Sequence, residues 1–287
     1  MKTLTILKPG LYTTIQDAGR YNFRKYGVPV SGAMDQWSAA LANALLNKPA
    51  ASALLEITLT GPTIKFNSDT LVALTGADIS PIIDGKELQM NSTIKIHKGQ
   101  ILNFGKNKYG SRTYLAFKNE LISEKVLKSQ SLYPGITFQY RLQSGDTIRL
   151  SEKSGILISP SSHLKPHFEH FQTGILDVAK GPEYDYLSSS LQDQLKEIIF
   201  TVSTENNRMG YKLAGPPLQI SKTASMITSS VLPGTVQLTP SGQLIILMRD
   251  CQTTGGYPRI LQLYEKSINQ LAQKKAGDKI SFNISLR

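Results

Sequence analysis

A chain of 287 residues, 40% hydrophobic and only 18% charged, can fill two domains and bury real cores, which argues against a disordered chain. The formal charge of +11 favours anionic partners, but the basic residues are scattered, and no arginine-rich tail or zinc-finger spacing supports nucleic-acid readout. The one cysteine, Cys251, excludes an internal disulfide and fits a reducing cytoplasm; the N-terminal apolar run is too short for a signal peptide, and no stretch approaches the ~18 apolar residues of a membrane span.

Taken in order, the chain reads mostly as short strands broken by Gly, Pro, Asn and Asp. A first helix is expected over 35–47, with Asp35 as N-cap and Trp37, Ala40, Leu41, Ala44 and Leu45 on its buried face. Leu71-Val72-Ala73-Leu74 is a short buried strand ending at Thr75-Gly76, and Asp84-Gly85 marks a hairpin. The stretch 93–104 alternates around a turn at Lys98-Gly99. The segments 141–150 and 276–282 share a Gly-Asp turn followed by an alternating strand. Each would close a β-rich half of the chain.

The stretch 159–173, with Pro160, Pro166 and three of the four histidines, reads as a linker between domains at 1–158 and 174–287. Two further helices are expected over 184–200 and 260–273. Few helices beside many strands predict barrels or sandwiches with capping helices.

Several familiar chemistries fail on inspection. His163, His167 and His170 have helical spacing, but Pro166 interrupts them and no ligand set is completed, so no metal site is evident. Gly105 and Gly110 stand at P-loop spacing, but Ser111 occupies the position of the required lysine. A surface hairpin is the better reading. Cys251 lies beside Asp250 with no histidine nearby, which suits a buried structural thiol.

Two segments resist so plain a reading. The loop 9–35 is rich in Gly, Pro, Thr and Ser, and too long for a simple turn. Within it Arg20 could offer a fork to a carboxylate or phosphoryl group, or could pair with Asp17 or Asp35. The run 249–259 passes from the apolar strand 244–248 through Gln252-Thr253-Thr254 to Gly255-Gly256. Such a turn gathers side-chain and backbone donors suited to an anion or oxyanion.

These segments also carry a resemblance. Pro9-Gly10-Leu11, Thr13-Thr14, Gln16-Asp17 and Gly19-Arg20 run on to Gly27-Val28-Pro29 and Ser31-Gly32-Ala33-Met34-Asp35. Leu41-Ala42-Asn43, Leu55-Glu56-Ile57-Thr58-Leu59 and Ala73-Leu74-Thr75-Gly76-Ala77-Asp78 follow. Later come Asn207-Arg208-Met209-Gly210-Tyr211, Pro233-Gly234, Val236-Gln237 and Gln252-Thr253-Thr254-Gly255-Gly256-Tyr257-Pro258. In this order they resemble the biotin-dependent carboxyltransferase-like family. That family includes the C subunit of 5-oxoprolinase, the antagonist of the Kip-type kinase inhibitor, and the carboxyltransferase part of urea carboxylase. The chain departs from the pattern at Lys118-Asn119-Glu120, where a Gly-Gly pair is usual. It departs again at Lys128-Ser129-Gln130-Ser131, where Gln130 replaces an arginine.

The resemblance implies a mainly β fold of tandem cyclophilin-like β-barrel domains with a few capping helices. It implies one component of an ATP-dependent 5-oxoprolinase, acting on 5-oxo-L-proline beside homologues of that enzyme's B and A subunits. ATP would be used by the complex rather than bound by this chain alone, without nucleic acid or membrane. A regulatory binder of a Kip-type inhibitor and a biotin-dependent carboxyltransferase are the alternatives. Candidate catalytic residues are Arg20, Arg208, Gln252, Thr253 and Thr254. Candidate substrate contacts are Gly27, Pro29, Ser31, Gly32, Asp35, Asn43, Glu56, Thr75, Gly76, Tyr211, Gln237, Gly255, Gly256 and Tyr257.

Overall fold

A computed structural model describes residues 1–152, 163–165, 167–218 and 227–284. The chain is mostly β and divides into two compact units. The first holds Met1–Arg20 and Ser31–Phe171, and the second holds Tyr21–Val30 and Gln172–Arg287.

Two sheets build the first unit. One has seven strands, in the order Leu121–Ile122, Thr147–Leu150, Lys2–Lys8, Thr63–Phe66, Ile101–Phe104, Pro81–Ile83 and Lys86–Glu87. The other has five, in the order Tyr12–Gln16, Leu54–Thr58, Tyr109–Phe117, Thr70–Asp78 and Thr93–Ile96. Alternate residues of a strand face opposite ways, so each sheet turns one apolar face inward. Leu4, Ile6, Ile64, Phe66 and Ile148 of the first thus pack in one core with Leu55, Ile57, Val72, Leu74 and Leu115 of the second. The five-stranded sheet is buried on both faces. Its other face carries Leu54, Ala73, Tyr114 and Ala116 against Ala39, Ala42 and Leu45 of the helix Gln36–Leu45.

The second unit is a closed barrel. Its strands run in the order Ile175–Lys180, Arg259–Leu263, Thr235–Leu238, Leu244–Leu247, Gly210–Ala214, Phe200–Asn206 and Lys279–Ile284. The last strand closes the ring by pairing in parallel with the first, Leu176 opposite Phe282. In the first unit, Thr147–Leu150 likewise returns to the opening strand, Leu4 opposite Ile148. The two Gly-Asp turns therefore precede strands with the same job, bringing the chain back to where its sheet began.

Several expectations need correction. The stretch expected as a helix over 260–273 begins as the strand Arg259–Leu263, and the helix is only Glu265–Leu271. Leu261 sits opposite Val236 and Lys180, and those ladder bonds outweigh a local helical pattern. The 184–200 helix is likewise shorter. It consists of a 3-10 turn at Tyr184–Tyr186 and the helix Ser189–Glu197, capped by Ser188, while Phe200 starts a strand. The turn at Lys98-Gly99 is present and leads from one sheet to the other. Thr93–Ile96 joins the five-stranded sheet and Ile101–Phe104 the seven-stranded one.

The first helix starts where Asp35 caps it, but Ser38, Ala39, Ala42, Asn43 and Leu45 are buried, whereas Trp37 is 37% exposed. Facing a sheet through alanines, the helix lies close and turns its indole outward. Tyr21–Val30 clusters with the second unit, and the first runs on to Phe171. Of the expected linker 159–173, residues 159–162 and 166 lie outside the described residues, while Glu169–Gln172 forms a short helix.

Gly76 offers a test of the first unit. It has φ +82°, and a Cβ there would lie 2.4 Å from the Arg112 carbonyl oxygen of the neighbouring strand. Gly76→Ala therefore combines left-handed strain with a backbone collision. It is expected to cost about 2 kcal/mol or more in chemical denaturation. A cost under about 0.5 kcal/mol would mean that this strand crossing is not as tight as described.

Candidate functional site

In the first unit the candidate residues form a buried polar network. The Asp35 carboxylate caps the helix, accepting from Ser38 N–H at 3.0 Å and Ser38 Oγ at 2.6 Å. Its Oδ2 also meets His170 Nε2 at 2.8 Å. Trp37 covers that imidazole, with ring centroids 4.6 Å apart. Burial alone would push the Asp35 carboxyl up. The His170 hydrogen bond and charge, with the Ser38 donors, outweigh it and hold the group below the usual carboxylate value.

The Asp35 N–H donates to the Tyr114 hydroxyl at 2.8 Å, and that hydroxyl donates to Glu56 Oε2 at 3.0 Å. Glu56 also accepts from Met34 N–H at 2.7 Å, and its Oε1 lies 3.8 Å from Arg112 Nε. Thr75 Oγ1 donates to the Ser38 carbonyl at 2.7 Å. Asp35, Glu56 and Thr75 thus converge on the start of one helix. Asn43 lies further along it, its amide donating to the carbonyls of Ala50 and Ser52 at 3.1 and 2.9 Å.

Ser31 and Gly32 lead into this network with φ of +58° and +83°. A Cβ at Gly32 would lie 2.8 Å from the Ala18 backbone, so the turn there requires glycine. Ser31 is fully buried.

Arg20 turns inward. It is fully buried and donates from Nη2 to the Ser131 carbonyl. The Asp17 carboxylate gathers Gly19 N–H at 2.8 Å, Ser129 and Ser131 hydroxyls at 2.7 Å each, and Gln130 N–H at 2.7 Å. The block where this chain departs from the family pattern therefore wraps the loop's own carboxylate.

In the second unit the turn after Leu244–Leu247 is built by three cations. Arg208 forms a bidentate buried pair with Asp250, Nε to Oδ2 at 2.7 Å and Nη2 to Oδ1 at 3.0 Å. The backbones join as well, Asp250 N–H donating to the Arg208 carbonyl at 2.9 Å. Arg249 pairs with Glu265 and donates to Asn269 at 3.0 Å, tying the turn to the following helix. Arg24, from the segment 21–30, donates to the carbonyl of Val231 and, at 3.3 Å, to that of Thr253.

The residues so held are Cys251, buried, then Gln252, Thr253 and Thr254, which are at least partly exposed. Burial pushes the Cys251 thiol up to about 11, more than the Arg24 guanidinium pulls it down, which favours the protonated thiol near neutral pH. Thr254 and Gly255 pair with Ser230 and Ser229 in a small ribbon. Gln237, buried on the barrel wall, donates to the Tyr257 carbonyl at 3.3 Å. A Cβ at Gly255 would lie 2.6 Å from Gln237 Nε2, whereas nothing lies within 4 Å of one at Gly256. Tyr257 is exposed.

Gly27 ends the 3-10 turn Arg24–Tyr26 in the left-handed region, and Pro29 is buried two residues on. Tyr211 is fully buried in the barrel opposite Ile246.

Sequence reasoning missed the parts played by Arg24, Asp250, Tyr114 and His170. Asp250 was legible only as a neighbour of Cys251. His170 sits 135 residues from its partner and Arg24 is 207 from Val231, and neither separation leaves a local signal. Among the described residues no group of three or more His, Cys, Asp or Glu could hold a metal ion. No described helix is long and apolar enough to cross a membrane.

The family model for the carboxyltransferase domain, subdomain A and B, matches residues 26–284. The chain belongs to this family. Within it, the chain is 34% identical to the 5-oxoprolinase C subunit of Escherichia coli, covering 97% of this chain and 90% of that one. It is 28% identical to urea amidolyase of Saccharomyces cerevisiae, covering 97% of this chain but only 16% of that protein. Among solved structures it is similar to TTHA0988 at 26% identity and TM-score 0.88, covering 99% of this chain and 55% of the other. Urea amidolyase of K. lactis matches at 25% identity and TM-score 0.87, over 98% of this chain and 18% of that one. This carboxyltransferase-family chain therefore spans about half of the first of those solved chains and a fraction of the second.

Proposed function

We propose that this chain is the C subunit of an ATP-dependent 5-oxoprolinase, working in the cytoplasm with homologues of the B and A subunits of that enzyme. The complex would convert 5-oxo-L-proline, ATP and water to L-glutamate, ADP and phosphate. The observation that carries the reading is the match to the Escherichia coli protein, which covers nearly the whole of both chains. The urea amidolyases, by contrast, contain a region like this one as a small part of a longer protein.

A lactam carbonyl is a poor electrophile. Phosphorylating its oxygen makes water attack feasible, and the charge that develops needs fixed cations and N–H donors. The turn from Gln252 to Gly256 has that character. Its hydroxyls and peptide groups are partly exposed, it is held by Arg24 and Arg249, and Arg208 is fixed beside it by Asp250. ATP is assigned to the assembled complex, since Ser111 replaces the P-loop lysine here.

The test is glutamate release from 5-oxo-L-proline and ATP, with the two partner proteins assayed with and without this chain. Release that needs all three supports the reading; equal release without this chain defeats it. The match to a carboxyltransferase domain favours a second reading, carboxyl transfer from biotin on another chain. That reading requires biotin-dependent turnover in the same assembly.

A further inference from the structure

The first unit contains a cavity of about 390 Å³ to which none of the roles above is assigned. It lies where the seven-stranded sheet stops short. The edge strand Leu121–Ile122 pairs with Leu150 and Arg149 and then leaves. Ser151 N–H donates to the Glu120 carbonyl at 2.8 Å. Peptide groups two and four residues back, at Arg149 and Thr147, point to the same side of the strand. At Thr147 the edge strand has ended, so its N–H and C=O face the gap.

The floor of the gap is apolar, formed by Ile15, Leu142 and Ile148. Its rim carries charges of both signs: Glu124, Asp146 and Arg149. Asp146 is oriented by Gln143 N–H at 2.7 Å and Gln139 Nε2 at 3.2 Å. Glu124 accepts from Phe138 N–H at 2.9 Å through one oxygen. Arg149 is exposed and makes no ion pair or side-chain hydrogen bond among the described residues, although two carboxylates share its cavity.

The wall is fixed by the divergent segment. Gln130 donates from Nε2 to the Leu121 carbonyl at 2.9 Å and to Ser123 Oγ at 3.1 Å. Where the family pattern carries an arginine, this chain uses a neutral amide to hold the edge strand beside the gap.

An unengaged guanidinium, two oriented carboxylates and an open peptide edge around an apolar floor suit a ligand bearing both charges. We infer that this cavity binds a small zwitterion of the α-amino acid class. The ligand carboxylate meets Arg149 and the Thr147 N–H, and its ammonium meets Glu124 and Asp146. A fork on a carboxylate is directional, and paired charges of both signs reject a plain anion or cation. The cavity volume lies within the range of small-ligand sites.

This inference does not depend on the proposed reaction, and its test reads binding, not turnover. The intact chain is titrated with L-glutamate, L-alanine and 5-oxo-L-proline while the backbone amide signals are followed by NMR. Both amino acids should shift the Thr147 and Glu124 amides, with saturation below about 10 mM. 5-Oxo-L-proline has a carboxylate but no ammonium, and should leave those amides unmoved. Arg149→Gln and Glu124→Gln, both at exposed positions, should each weaken L-glutamate at least about tenfold, equivalent to ~1.4 kcal/mol. The inference is overturned by unmoved Thr147 and Glu124 amides at about 10 mM amino acid, by an equal response to 5-oxo-L-proline, or by unchanged affinity in Arg149→Gln.

Discussion

Replacing Arg208 with alanine is expected to lower glutamate release by the proposed complex about 100-fold or more, the scale for losing one fixed stabiliser of developing charge. Arg208 is 7% exposed, and its guanidinium is clamped by both oxygens of Asp250. A cation so held needs little reorganisation when charge appears on a nearby oxygen. The alanine variant also leaves Asp250 buried without its cation, which costs about 3–5 kcal/mol.

Arg208→Lys separates the two effects. It keeps the positive charge but cannot make the two-pronged contact, so turnover should fall less while the fold is largely kept. Glutamate release and co-elution of the complex on size-exclusion chromatography are the measurements. Full turnover in both variants, with the complex intact, would remove Arg208 from the proposed chemistry.

Asp35→Ala is expected to be the most damaging substitution for stability. One carboxylate caps the helix Gln36–Leu45 and faces His170, with no exposed surface. Breaking a buried pair costs about 3–5 kcal/mol, and losing a cap adds about 1. Thermal unfolding should then shift down by roughly 10 °C or more. Asp35→Asn keeps a capping oxygen and should lose less.

The pH dependence has a definite sign. The folded carboxyl titrates below its unfolded value, so its stabilisation is fully present above about pH 4 and is lost as pH falls through the lowered folded value. The stability gap between wild type and Asp35→Asn should therefore be widest near neutrality and close toward pH 2. A gap that stays constant across this range would mean that the charge on Asp35 does not matter. Both measurements concern the first unit and need no partner protein.

The sequence by itself determined the features whose causes are local. Asp84 and Gly85, both with positive φ, turn Pro81–Ile83 back onto Lys86–Glu87, as an Asp-Gly pair predicts. Asp35 caps its helix because a short carboxylate can reach the N–H groups of the first turn. The glycines in the motifs also follow local rules, since Gly32 and Gly76 adopt φ values that a side chain disfavours. The ordered motifs were enough to place the chain in its family.

Only the tertiary structure decided what depends on partners distant in the chain. The run 259–263 became a strand because Thr235–Leu238 and Ile175–Lys180 supply ladder bonds on both its sides. Arg20 went inward to the Ser131 carbonyl, while Arg24, four residues later, reached Val231 and Thr253. Both arginines stand in the same polar loop, and nothing in their neighbours distinguishes the two fates. Hydrogen-bond partners and burial are set when remote segments pack, and period and propensity carry no record of that packing.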